Sequence, residues 1–136
     1  MRAQPKGRTD DCTRGDALQL LERSQSLVDA ARLVVGDGEF RGVAAALTVL
    51  AGIAASDAAC RAVLACRHRG QDHRGAVDLL AGVEPGGKRM AKDLQRLLDR
   101  KDNAHYGVIH VAIGEEYKMV EWASRLLTDA RAAVEA

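Results

Sequence analysis

The sequence predicts an all-α fold, an antiparallel bundle of about five helices, and three observations carry that prediction. Aromatic residues make up only 3% of the 136 residues and proline occurs twice, so a core has to be assembled from Leu, Val, Ile and abundant Ala, a composition that favours packed helices. Apolar residues recur at helical spacing through most of the chain. Gly and Pro clusters fall between those segments and leave short connections, as bundles require. The length suits one domain, residues 14–136, behind a polar leader of residues 1–13 that carries Pro5 and Gly7 and is expected to be disordered.

The first helix is expected from Asp16 to Val35, with Leu20, Leu21, Leu27, Val28, Ala31, Val34 and Val35 inward and Gly36-Asp37-Gly38 as its stop. The second, Phe40 to Cys66, has Ala46, Leu50, Ile53, Asp57, Cys60 and Leu64 on one face. Its opposite face holds only small residues: Ala45, Thr48, Gly52, Ala55, Ala59, Ala62 and Cys66. A helix apolar all round is a central one, and the small face would let another helix approach closely.

Asp72 is a fitting N-cap for a short third helix through Leu80, and Gly82 to Gly87 with Pro85 forms the next turn. The fourth helix is expected over Lys88 to Tyr106 with Gly107 as its cap. Val108 to Ile113, rich in β-branched residues, reads as an extended connector or a short strand. The fifth helix begins near Glu115, where two glutamates suit a helix N-terminus, and turns Met119, Val120, Ala123, Leu126, Leu127 and Ala130 inward.

Twenty basic and nineteen acidic residues leave a net charge of +1, which excludes a global attraction to nucleic acid or acidic membranes and makes any polyanion site local. Three cysteines, Cys60 and Cys66 among them in an apolar segment, point to buried thiols in a reducing cytosol. No apolar h-region follows the charged N-terminus, and no run approaches the roughly 20 apolar residues of a membrane span. No membrane association is therefore expected. His68, His73, His105 and His110 with Cys60 and Cys66 lack a zinc spacing, so no metal is expected. The glycines form no phosphate loop or dinucleotide fingerprint, so no cofactor is expected either.

The stretch Leu97 to Gly107 is the candidate site. At roughly 100° per residue, Met90, Leu94, Leu97, Leu98, Ala104 and Val108 share one side of the fourth helix, and Lys101 and His105 fall inside the same arc. If that stripe faces the one on the second helix, Lys101 meets Asp57; the alternative is Asp57 satisfied by Arg61 one turn on. His105, with Asp102 and Tyr106 adjoining, can exchange a proton near neutrality. Lys88, Lys92, Arg96 and Arg100 form an i,i+4 ridge that could track a phosphate backbone or be a solvated face beside Asp93 and Asp99.

Arg100-Lys101-Asp102-Asn103-Ala104-His105 fits an Arg-x4-His motif. With the pair Ser56-Asp57 on an Ala-rich helix, Arg69-Gly70-Gln71-Asp72-His73 and Ala76-Val77-Asp78-Leu79-Leu80, it resembles the HEPN (higher eukaryotes and prokaryotes nucleotide-binding) family. The likeness is to small actinobacterial HEPN-domain proteins and covers roughly residues 16 to 132. The resemblance implies RNA cleavage without a metal in stress or conflict responses, as in toxin–antitoxin pairs, with two copies of the motif meeting across a homodimer. His105 would then activate the ribose 2′-hydroxyl or protonate the leaving oxygen, and Arg100 would stabilise the phosphate. Residues five apart on a regular helix differ by about 140° in direction, so Arg100 and His105 could cooperate only at a helix edge, through distortion, or across a dimer. The competing expectation is a non-catalytic interaction module for a protein partner, in which Asp57, Lys101 and His105 form a buried network that fixes helix register.

Overall fold

The structure of the chain is a computed structural model that describes residues 6–64, 73–102 and 109–136. The described residues form a bundle of five helices: α1 (Lys6–Val34), α2 (Arg41–Leu64), α3 (His73–Ala81), α4 (Gly87–Lys101) and α5 (Glu115–Glu135), with a 3-10 turn at Gly38–Phe40 leading into α2. No strand occurs among the described residues, and 109–112 is irregular where an extended segment is one of two expectations. The helix α1 begins at Lys6, inside the stretch expected as leader, and α4 spans Gly87–Lys101, while the expected continuation to Tyr106 and the Gly107 cap lie outside the described residues. The chain turns at Asp102, whose N–H donates to the Leu98 carbonyl at 3.0 Å.

Cross-helix contacts fix the directions. Arg61 on α2 pairs with Asp16 on α1, and Ser24 Oγ donates to the Ala51 carbonyl, so α1 and α2 are antiparallel. Arg32 donates to Ser124 and Arg131 to Gln25, which sets α1 antiparallel to α5. Arg89 meets Asp129 while Arg100 meets Glu115, so α4 also opposes α5.

The centre of the bundle is the small-residue face of α2. Ala44, Ala45, Thr48, Ala51, Gly52, Ala55, Ala58 and Ala59 are all buried. Gly52 lies so close to Leu97 of α4 that an added Cβ would stand 2.6 Å from Leu97 Cδ1 and 3.3 Å from Leu126 Cδ2. Several larger apolar residues of α2 look the other way, Val43 being 49% exposed, Leu50 52% and Ile53 39%, while Val49 is buried. A helix read as apolar all round is thus fully enclosed only on its small side, because backbones approach most closely where side chains are shortest. The stretch Gly38–Leu64 is long and apolar enough to cross a bilayer, against the expectation that no run approaches that length. Yet 67% of its most apolar window is buried in the bundle, the pattern of a core helix.

Two glycines make close approaches of different kinds. At Gly52 the obstacle is the end of a leucine, which can rotate away. At Gly87 it is backbone, since a Cβ would lie 2.7 Å from the Leu80 carbonyl oxygen and 2.9 Å from that of Ala81. Gly87→Ala should therefore destabilise the protein by about 2 kcal/mol, as overpacking against rigid atoms does. Gly52→Ala should stay within about 1 kcal/mol of wild type, because the gain in helix propensity offsets the displaced leucine. Urea unfolding of the two variants measures this order.

Candidate functional site

On α4 the expected stripe is in place, with Met90, Leu94, Leu97 and Leu98 buried. At the edge of that stripe stands Asp93, whose side chain is fully buried and points across to α5. Arg125 grips it with both arms, Nη2 donating at 2.6 Å and Nε at 2.8 Å, and Arg96 reaches it from the same helix at 3.4 Å. The hydrogen bond to Asp93 holds the Arg125 guanidinium above its ordinary pKa, and the one to Asp129 does the same for Arg89. Both arginines stay charged at any working pH.

One turn further on, the guanidinium groups of Arg96 and Arg100 both lie over the Trp122 ring, 5.6 and 5.4 Å from its centroid. Residues at i and i+4 share a face, so one indole on α5 receives two cations from α4. Arg100 also donates from Nη2 to Glu115 Oε2 at 2.9 Å, with both side chains half-buried. Glu115 sits in the first turn of α5, where the helix dipole favours an anion. This seam holds two partly exposed guanidinium groups on one aromatic ring, the chemistry that meets a phosphate by charge-assisted hydrogen bonds.

The sequence-derived site residues divide accordingly. Lys88 and Lys92 stand in solvent, whereas Arg96 and Arg100 fold down onto Trp122, so the basic ridge is exposed only over its first half. Lys101 is exposed, which corrects its placement in the core stripe, and the Lys101–Asp57 meeting is corrected with it. Since α4 opposes α2 and Leu97 lies level with Gly52, five residues from Gly52 to Asp57 and four from Leu97 to Lys101 lead in opposite directions. The two residues are therefore about 13 Å apart along the bundle axis. Asp57 accepts from Arg61 Nε at 3.1 Å instead.

Ser56 is buried with its hydroxyl donating to the Gly52 carbonyl at 2.7 Å, a bond within its own helix. Asp102 is exposed. His105 and Tyr106 lie outside the described residues. Among the described residues no group of His, Cys, Asp and Glu could hold a metal ion. Cys60 is buried and in no disulfide.

Asp93, Arg125, Trp122 and Glu115 were not singled out in the sequence. Asp93 was read there as a neighbour of a solvated basic face, and its burial corrects that: at about 100° per residue it lies at the edge of the apolar stripe, on the side that α5 covers. Its partners on α5 carry no comparable signal. Comparison with protein-family models, curated proteins and solved structures finds no match to this chain.

The Asp93–Arg125 pair is asymmetric, one partner buried and the other substantially exposed. Arg125→Ala leaves the buried carboxylate with only the longer contact from Arg96 and should cost about 3 kcal/mol. Asp93→Asn leaves an arginine that rehydrates, so it should cost clearly less in the same denaturant titration.

Proposed function

We propose that this chain is a HEPN-like RNA-handling domain, and that the end of α4 is where it meets RNA. The observation that carries the reading is the pair of guanidinium groups over Trp122. Two partly exposed guanidinium groups held on one indole at the end of α4, next along the chain to the segment containing His105, support a contact with phosphate. The net charge of +1 agrees with a local contact of this kind rather than a broad basic surface.

In this reading Arg100 takes up the scissile phosphate and His105 removes the proton of the adjacent 2′-hydroxyl. The 2′-oxygen attacks phosphorus, and the 5′-oxygen leaves with a proton returned by an imidazolium, giving a cyclic phosphate without a metal. The bond from Arg100 to Glu115 makes binding competitive, since phosphate has to displace a carboxylate from the same guanidinium. The activity belongs in a reducing cytosol, and the resemblance adds a role in stress or conflict responses.

A second reading has its own support. Arg61 is held by Asp16 and Asp57, and Arg100 by Glu115, so charged residues that could meet RNA close on one another as they would in a non-catalytic interaction module for a protein partner.

Single-stranded RNA incubated with the protein in excess chelator separates the two. Cleavage is expected, with His105→Ala slowing it by about 100-fold or more. Glu115→Gln should tighten RNA binding several-fold and steepen its salt dependence by about one phosphate contact. Cleavage that survives His105→Ala sinks the catalytic assignment, and absence of any RNA binding at low salt leaves the interaction module.

A further inference from the structure

A cavity lies apart from the seam at the end of α4. It is an open groove of about 660 Å³ between the last turn of α1 and the outward side of α5, a volume within the roughly 300–1,000 Å³ of ligand sites. Val35 and Val120 make it partly apolar, Tyr117, 54% exposed, adds an aromatic ring, and Arg32 and Arg125 stand in its lining. Arg32 differs from the arginines of the seam. Its Nη2 donates to the Ser124 hydroxyl at 2.7 Å, and among the described residues no carboxylate pairs with it, Asp29 one turn back being turned to Gln25.

Shared partners join this groove to the end of α4. Arg100 and Arg96 lie over the same Trp122 ring, Arg96 and Arg125 reach the same Asp93, and Arg125 and Arg32 line the same groove. Four guanidinium groups therefore succeed one another across the exposed face of α5, from its α4 side to its α1 side. At about 100° per residue, Trp122, Arg125 and Ser124 stand in that order around the helix.

We propose that this belt is the path of a single RNA strand, which leaves the phosphate held by Arg100, crosses α5 by way of Arg125 and enters the α1–α5 groove. There Arg32 takes a flanking phosphate and Tyr117 a base. The path rests on the RNA reading above and extends it to a subsite that neither the Arg-x4-His motif nor the basic ridge of α4 contains.

The donors along the belt are available in turn. Arg125 spends Nε and Nη2 on Asp93 and retains Nη1, with its side chain 41% exposed. Arg32 spends one bond on a neutral hydroxyl, so a phosphate arriving there displaces no anion, in contrast to Arg100 and Glu115. Shape decides between one strand and two. The belt turns through about 160° around a helix only about 10–12 Å across, a curve that a single strand follows and a stiff duplex does not. Cations beside an aromatic ring are the means by which single strands are held. One carboxylate opposes the path: Glu121 lines the groove one turn from Arg125 and repels phosphate from it.

Binding of oligouridylates that carry 2′-fluoro groups in place of the attacking hydroxyl tests the path by length. A dinucleotide holds one phosphodiester and reaches Arg100 alone, whereas a decamer spans the belt. Wild type should bind the decamer at least about tenfold more tightly at low salt. Arg32→Gln should weaken the decamer several-fold, lower its salt slope by about 0.7, one phosphate contact on a single strand, and leave the dinucleotide unchanged. Its thermal midpoint should not move, since Arg32 is exposed. Glu121→Gln should tighten the decamer alone. A decamer that binds with neither affinity nor salt slope altered by Arg32→Gln overturns the path and leaves the contact at Arg100 standing. Equal weakening of both lengths overturns it too, because Arg32 then acts on the fold or on the Arg100 site. If wild type binds neither length at low salt, the RNA reading fails and the path fails with it.

Discussion

The close approach of the other helices to the small face of α2 is the constraint on which the rest of the structure depends. With few aromatic residues, the bundle fills its centre by setting leucines against alanines and glycine, as Leu97 and Leu126 do at Gly52. Such contacts bring helix axes toward the short end of the usual 8–10 Å range. On the α1 side the same closeness lets Ser24 reach the Ala51 carbonyl, a backbone oxygen already used within its helix. Once the small face is chosen as the inside, Val43, Leu50 and Ile53 are left to the outside, and Val49 alone of the larger residues is fully enclosed with the alanines.

The packing sets α4 against α5, and a polar contact fixes their register. Asp93 sits among the leucines of α4 with no exposure, so its charge must be met wherever α5 lies. Arg125 meets it with two bonds, and only one sliding position of the helices permits both. The flanking pairs Arg89–Asp129 and Arg100–Glu115 are more exposed and weigh about 0–1 kcal/mol each. They follow the register that Asp93 sets.

Periodicity made much of this legible. The inward residues of α5 and the apolar stripe of α4 lie where the spacing of Met119 to Ala130 and of Met90 to Leu98 puts them. Periodicity reports which side of a helix is apolar, not which end of a neighbour stands opposite. Asp57 and Lys101 each occupy the apolar arc of their helix, yet antiparallel packing carries them apart. For α2, both sides were apolar, and only the demand for close contact decides that Gly52 goes in and Leu50 out. The α4–α5 seam was hidden for a related reason: Arg125 and Trp122 acquire meaning only from the Asp93, Arg96 and Arg100 side chains laid against them.

Arg100 and His105 point about 140° apart only inside a continuous helix. His105 lies outside the described residues, and what the structure gives is the setting of Arg100. What governs Arg100 is Glu115 on one side and Trp122 on the other. An indole face holds the planar guanidinium without consuming its N–H donors, and a carboxylate consumes some of them. A phosphate arriving at this end therefore finds an oriented cation and needs to displace only the carboxylate. Because the pair is half-exposed, water already weakens it, and the exchange costs far less than it would at Asp93.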